Sequence, residues 1–348
     1  MRRIRLGKSG LMATQVGLGG IPIQRLSEDE AIAVVKGCLD LGLNFIDTSR
    51  AYTTSEERIG KAIAGRRDEV IIATKSLARD RATLLADLEV SLRLLGVEAI
   101  DLYQLHNVSS KEDYQHVIGP GGALEGALEA QRSGKVKHIG ITSHTLDVAK
   151  GAVQSGLFET ILFPLNFVAR EPGEELYPLA MACDVGFIVM KPLAGGMLDN
   201  ARLAFKYLLQ FPDAVCVPGV ERVQQMEEIV RIVSEPAALT NAEQQEMDRV
   251  RKELGDRFCR RCQYCQPCPQ GISINFLMIA ESMWKRMPLS EFLKSYATQV
   301  EKAATDCEKC GECEDKCPYG LPIREMLDEA IALYRREKAA YDAVATPS

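Results

Sequence analysis

The sequence predicts an α/β protein in which a (β/α)8 TIM barrel is followed by a second, mainly helical domain. Three observations carry this reading. From Arg2 to about Val233, short β-rich runs alternate with amphipathic segments, the pattern of parallel βα units. The runs number eight, and eight such units close most simply as a barrel. Beyond Arg257 the alternation stops and eight of the eleven cysteines fall in two tight runs. A barrel takes roughly 250 residues, so the chain divides into a barrel over 1–235, a linker helix over 236–257 and a helical module over 258–348.

The strand-like runs are Thr14 to Leu18, Asn44 to Asp47, Val70 to Thr74, Ile100 to Leu105, Val136 to Ile141, Thr160 to Phe163, Gly186 to Met190 and Ala214 to Val217. Helical patterns lie between them. Ser27 to Leu41 opens with Ser27 and Glu30 at capping-box spacing, and Arg81 to Leu95 carries leucines at 84, 85, 88, 92 and 95. The polar stretch from Ser234 to Arg257 reads as a solvated linking helix. In the second domain, Ile274 to Ala304 and Ile323 to Tyr341 have amphipathic helical patterns.

Composition narrows the function. A net charge of −6 and no block of Lys or Arg long enough to track phosphates exclude a nucleic-acid partner. No run approaches 18 apolar residues, and the basic N-terminus lacks a continuous apolar core, so neither a membrane span nor an export signal is expected and the setting is cytoplasmic.

The second domain is an internal repeat of CRRCQYCQPCPQGISI by CEKCGECEDKCPYGLPI. Cys259, Cys262 and Cys265, then Cys307, Cys310 and Cys313, each follow C-x2-C-x2-C, a spacing that wraps three corners of a [4Fe-4S] cluster. Cys268 and Cys317 complete the runs, each before a proline. By analogy with bacterial two-cluster ferredoxins, Cys317 joins the first cluster and Cys268 the second. The first run is one residue shorter before its last cysteine. Zinc or incidental cysteines are the alternatives. Cys38, Cys183 and Cys216 sit singly in apolar patterns and are expected to be buried and inert.

Barrel chemistry collects at the C-terminal strand ends. Asp47 ends the second run, Lys75 follows the third and His106 the fourth, with Tyr52 five residues beyond Asp47. Carbonyl reduction needs a proton donor to the nascent alkoxide, and an ordinary Tyr, with a pKa of about 10, holds its proton too tightly. A cationic Lys75 would loosen it, Asp47 would keep Lys75 charged, and His106 would orient the substrate oxygen. His116, His138 and His144 lack ligand spacing and read as surface or loop residues, although His144, after the fifth run, could line the site; Asn166, ending the sixth, is the better candidate.

The runs NFIDTSRAYTTSEERIG, IIATKS and DLYQLHN resemble aldo/keto reductases, as do HIGITSH, KPLAGGML and VPGVERVQQMEE. With the cysteine module, the chain resembles the branch of that family with a C-terminal 4Fe-4S dicluster domain. The resemblance implies Asp47, Tyr52, Lys75 and His106 as catalytic tetrad and NADPH or NADH across the barrel mouth. Cofactor contacts would come from Ser143, Asn166, Lys191, Leu193, Gly195, Gly196, Leu198, Gly219, Arg222, Gln225 and Glu228. Leu162, Met190 and Ile229 depart from common family residues, and Glu221 beside Arg222 would repel a 2′-phosphate that Arg222 would attract.

A hydride donor passes two electrons and an iron–sulfur cluster one, so coupling the halves would need a converter such as a flavin, for which there is no fingerprint. The expectation is NAD(P)H-dependent hydride transfer to or from a small-molecule carbonyl or alcohol. The alternatives are a ferredoxin-linked electron-transfer enzyme and a redox or oxygen sensor.

Overall fold

The computed structural model describes residues 1–255 and 257–345, in two compact units, Met1–Glu243 and Gln244–Ser348. The first begins with an antiparallel hairpin of β1 (Arg3–Arg5) and β2 (Met12–Thr14). Strands and helices then alternate: β3 (Leu18–Gly19), α1 (Glu28–Asp40), β4 (Phe45–Asp47), α2 (Ser55–Ile63), β5 (Ile71–Ser76), α3 (Arg81–Leu95), β6 (Ile100–Leu105), α4 (Lys111–Ile118), α5 (Ala123–Arg132), β7 (Val136–Thr142), α6 (Leu146–Gln154), β8 (Thr160–Pro164), α7 (Glu171–Ala182), β9 (Gly186–Met190), α8 (Ala201–Leu208), β10 (Ala214–Cys216) and α9 (Val223–Ser234).

Local chemistry accounts for several of these boundaries. Helix α1 starts at the expected box, with Ser27 and Glu30 each satisfying the other's backbone N–H. Helix α3 is opened by Asp80, which accepts from Thr83 N–H at 2.9 Å, and closed by Gly96 at φ 65°. Leu84, Leu88, Leu92 and Leu95 form its buried stripe.

Strands β3 to β10 form one parallel sheet in sequential order. The expectation of a closed barrel needs correction at one seam. The strand ladder is open between β3 and β10, whose margins meet, among the described residues, through the isolated parallel bridge Val16–Cys216. There Gly17 N–H donates to Cys216 O at 2.8 Å, Cys216 N–H to Gln15 O at 3.0 Å and Gly19 N–H to Pro218 O at 2.8 Å. A longer ladder fails for a physical reason: β3 is two residues long, and Pro218 has no N–H to return. Close approach at the seam also requires glycine. A Cβ on Gly17 would lie 2.6 Å from Phe45 O, and one on Gly19 2.7 Å from Val217 O.

Inside the curled sheet, Phe45, Ala73, Leu102, Leu162, Ile188 and Val215 meet Ile4, Leu6 and Ala13 from the hairpin, which plugs the N-terminal end. Each such fully buried aliphatic side chain contributes about 1.5–3 kcal/mol. This plug leaves only the C-terminal ends of the strands free to build a site.

The expected single helix from Ser234 to Arg257 is interrupted. Helix α9 ends at Ser234, Pro236 follows, and α10 (Asn241–Gly255) starts afresh. Near its start, Glu243 accepts from Lys206 and Arg202 of α8 and from Thr240. The Lys206 hydrogen bond, then that from the Thr240 backbone, hold its carboxyl down at about 2. A depressed carboxyl stabilises the fold above its unfolded pKa of about 4.3 and loses that contribution as pH falls toward the folded value. Glu243→Gln is therefore expected to lower Tm at neutral pH, and its deficit against wild type to narrow as melts are run from about pH 5 down to pH 2. An unchanged deficit would show that charge is not what the contact uses.

The second unit continues through α11 (Ile274–Leu277), α12 (Ala280–Trp284), α13 (Leu289–Asp306), α14 (Glu312–Asp315) and α15 (Ile323–Ala345). Its core packs Leu277, Phe292, Tyr296, Val300, Leu327 and Tyr334. Tyr296 stacks on Phe276 at 4.1 Å, and both tyrosine hydroxyls are used: Tyr296 donates to Phe276 O and Tyr334 to Leu293 O. Among the described residues no helix is long and apolar enough to cross a membrane.

Candidate active site

Strand alternation carries the interior face upward into the site. Two residues beyond Phe45 is Asp47, two beyond Ala73 is Lys75, and Leu102 is followed on the same face by Gln104 and His106. Apolar packing thus gives way to charge within one pleat repeat.

Lys75 is 1% exposed. Its Nζ donates to Asp47 Oδ2 at 2.6 Å and to Thr48 O at 2.7 Å and stands 5.0 Å from the Tyr52 ring centroid. Burial is the largest influence on this ammonium and opposes its charge. Asp47 and Tyr52 together outweigh it, so the pKa of Lys75 is raised above the ordinary lysine value. The other Asp47 oxygen accepts from Gln104 Nε2 at 3.0 Å.

The His106 ring meets Tyr52 edge-on, with centroids 6.0 Å apart. Its Nδ1 lies 3.1 Å from Ser49 Oγ, and Arg79 donates to the carbonyls of His106 and Asn107 at 3.0 Å each. Beneath the loop, Glu56 is fully buried and accepts from Thr74 Oγ1 at 2.7 Å and from Arg50 at 2.8 Å. The four expected residues are brought together. Ser49, Gln104 and Glu56 were not anticipated. Gln104 could have been, as a polar residue on the inward face of an apolar strand. Glu56 could not, because a Glu in a first helical turn normally faces water.

The expected cofactor residues lie on the four loops that follow β7, β8, β9 and β10 and on α9. Ser143 and Asn166 are fully buried. Ser143 Oγ accepts from Thr145 N–H at 3.1 Å. Asn166 accepts from the N–H groups of Val168 and Ala169 and donates to Lys191 O at 3.2 Å. After β9 the chain turns tightly. Lys191, Gly195 and Gly196 have φ of 55°, 73° and 93°, and Leu193 O accepts from the N–H groups of Gly196 and Leu198. After β10, Gly219 sits against Pro22, where a Cβ would lie 2.5 Å from the ring. Gln225 caps α9 by accepting from the N–H groups of Glu221 and Arg222. Arg222 and Glu228 are exposed, whereas Ile229 and Leu162 are core residues. Glu221 pairs with Arg25 at 3.6 Å.

His144 lies at the edge of the site, with Nδ1 3.0 Å from Asn107 Oδ1, and His138 pairs with Glu159 at 2.7 Å. Cys38 and Cys216 are buried thiols that desolvation pushes up to about 12, but Cys183, expected to be buried, is exposed.

Fold and cluster together define a βα-repeat oxidoreductase scaffold, with a buried Lys–Asp pair beneath a Tyr and a His at the open end of the strands. A family model described as the aldo/keto reductase family matches residues 13–203. The chain belongs to the aldo/keto reductase family. An oxidoreductase of Bacillus subtilis, YqkF, is 29% identical over 217 residues, 58% of this chain and 68% of that protein. The aldo-keto reductase YhdN of the same organism is 29% identical over 219 residues, 58% of this chain and 64% of that one. Among solved structures, the holo form of an aldo-keto reductase from Bacillus halodurans matches with a TM-score of 0.62 and 26% identity, covering 72% of this chain and 96% of its own. An aldo-keto reductase from Klebsiella pneumoniae in complex with NADPH has the same fold, with a TM-score of 0.62 at 19% identity, covering 72% of this chain and 94% of its own. A small-molecule carbonyl or alcohol substrate fits this family's fold.

The iron–sulfur expectation is corrected. A family model described as a 4Fe-4S dicluster domain does match residues 258–322. Cys259, Cys262, Cys265 and Cys317 border one small cavity, and Cys265, Cys268, Cys307, Cys310 and Cys313 border another. Bordering a cavity is not convergence on a point: among the described residues, no group of three or more His, Cys, Asp or Glu side chains is placed to hold a metal ion. Spacing decides which cysteines share a loop, but ligation needs thiolates aimed at one centre. The dicluster branch, the two-cluster ferredoxin-like domain, the ferredoxin-linked and sensor alternatives and the bridging flavin fall with this correction.

Proposed function

We propose that the protein is an NAD(P)H-dependent oxidoreductase of aldo/keto reductase type that interconverts a small carbonyl compound and its alcohol in the cytoplasm. The observation that carries this is the buried Asp47–Lys75 pair set against the Tyr52 ring beside His106. Bound NADPH or NADH would supply the hydride that reaches the carbonyl carbon. Tyr52 is the proposed donor of the proton that completes the alcohol at oxygen. The attraction that keeps Lys75 charged equally favours the tyrosinate left behind, which lowers the cost of giving up that proton. Asp47 stops burial from neutralising Lys75, and His106 orients the substrate oxygen.

The glycine turn after β9 and exposed Arg222 at the start of α9 suit the phosphates of the dinucleotide, since helix N-termini and guanidinium groups favour anions. Ser143, Asn166, Lys191, Leu193, Leu198, Gly219 and Glu228 complete the proposed contact set, and Gln225 acts there by holding the α9 cap. The test is nucleotide consumption by the full-length protein with a panel of aldehydes and ketones, with NADPH and NADH in parallel. Carbonyl-dependent consumption is expected. Its absence with both nucleotides, together with no alcohol-dependent reduction of NADP+ or NAD+, would sink the proposal.

A further inference from the structure

Ser49 Oγ is fully buried and has three polar neighbours. It accepts from Ala51 N–H at 3.2 Å, and both Lys75 O and His106 Nδ1 lie 3.1 Å away. Lys75 O already accepts from Arg50 N–H at 3.0 Å, so it is satisfied with or without the hydroxyl. A hydroxyl has one proton to give and two lone pairs, so its direction and the state of Nδ1 are locked together. With the Ser49 proton on Nδ1, neutral His106 carries its own proton on Nε2. With the Ser49 proton on Lys75 O, Nδ1 carries the imidazole proton and donates to Ser49, and Nε2 presents a lone pair.

A carbonyl oxygen needs a donor at Nε2, and in the reverse direction Tyr52 takes back its own proton, so the same Nε2–H faces the oxygen both ways. We propose that Ser49 is a positioning residue whose hydroxyl, by donating to Nδ1, holds His106 in the Nε2–H tautomer. The competing rotamer, with the Ser49 proton on Lys75 O, supplies nothing that carbonyl lacks, since Arg50 N–H already satisfies it. The use of this tautomer in turnover rests on the function proposed above, but the tautomer assignment does not.

The test is ¹⁵N NMR of the histidine rings in the full-length protein, held at a pH where imidazole is neutral. The chain has four histidines, so His116, His138 and His144 act as internal controls for folding. In wild type the paired Nδ1 and Nε2 shifts of His106 should report the Nε2–H form. Ser49→Ala should change that pair while leaving the other three rings in place, and Ser49→Thr, which keeps a hydroxyl, should restore it. Carbonyl reduction should fall about tenfold in Ser49→Ala, the scale of one buried hydrogen bond, with Ser49→Thr again restoring it. Unchanged His106 shifts in Ser49→Ala would overturn the assignment, and changed shifts with unaltered carbonyl reduction would overturn its use in turnover. A wild-type protein with no turnover, yet with Ser49-dependent shifts, would refute the proposed reaction and leave the tautomer assignment standing.

Discussion

Tyr52→Phe is expected to lower kcat for carbonyl reduction by roughly 10²–10⁴-fold, the range typical of a general acid, while nucleotide affinity stays within a few-fold of wild type. The substitution removes one oxygen and retains the ring, so the edge contact with His106 at 6.0 Å and the face presented to Lys75 survive. What is lost is the only proposed group that can protonate the alkoxide beside the Lys75 cation. Hydride transfer without that proton leaves a bare alkoxide in a poorly solvated site, which raises the barrier rather than the dissociation constant. Stopped-flow rates under single turnover, read beside nucleotide titration by fluorescence, separate the two. A loss confined to KM would remove Tyr52 from the chemistry and leave it as a wall of the pocket.

The second large effect concerns stability. Asp47→Leu strands the Lys75 ammonium, 1% exposed, without its carboxylate partner, leaving Thr48 O and Tyr52 beside it. Breaking a buried pair on one side costs about 3–5 kcal/mol, so a substantial fall in Tm is expected, together with loss of activity. The pH dependence should change sign. In wild type the Lys75 pKa is raised, so its contribution is complete below the unfolded lysine value of about 10.4 and fades as pH climbs through the folded value. In Asp47→Leu, burial, the largest influence, is opposed by Tyr52 without Asp47, so the folded pKa is expected to drop and the variant to gain stability as pH rises through that lower value. The double variant Asp47→Leu/Lys75→Met should recover much of the Tm and none of the activity. Thermal melts across pH check all three statements, and a single variant as stable as wild type at neutral pH would contradict them.

Much of this arrangement was legible in the chain. The runs Ile100 to Leu105 and Gly186 to Met190 are strands over those residues, and Arg81 to Leu95 is a helix from end to end. The helix has a cap at Asp80 and a glycine at Gly96 where its pattern stops, and the two strands are unbroken apolar-rich runs. The first run was read as one strand, Thr14 to Leu18, where the structure has β2, a break and β3. Local pattern cannot distinguish a continuous strand from two short ones serving different sheets. Asp47, Lys75 and His106 were visible because each falls at or next to a strand end, and Tyr52 because it lies in the loop that follows Asp47. Ser49 was not, because its importance lies in a distance to His106, 57 positions away, that no local pattern encodes. The cysteine runs mark the opposite limit: their spacing is regular, yet spacing alone does not aim sulfurs at a common centre.

The bridge between Val16 and Cys216 has a consequence for how the first unit assembles. The strand ladders of the sheet join strands that are neighbours along the chain, so each can form by adding one βα unit to those already docked, while a second isolated bridge, Gly7–Val185, ties the hairpin to the start of β9. The Val16–Cys216 bridge instead joins residues about 200 positions apart, a loop closure that costs roughly 5 kcal/mol in chain entropy if made first. That cost nearly vanishes once the intervening units have brought both margins into place. Assembly therefore runs as accretion along the chain, with the margins meeting last, and the glycines at 17 and 19 are where the growing sheet finally meets its own beginning.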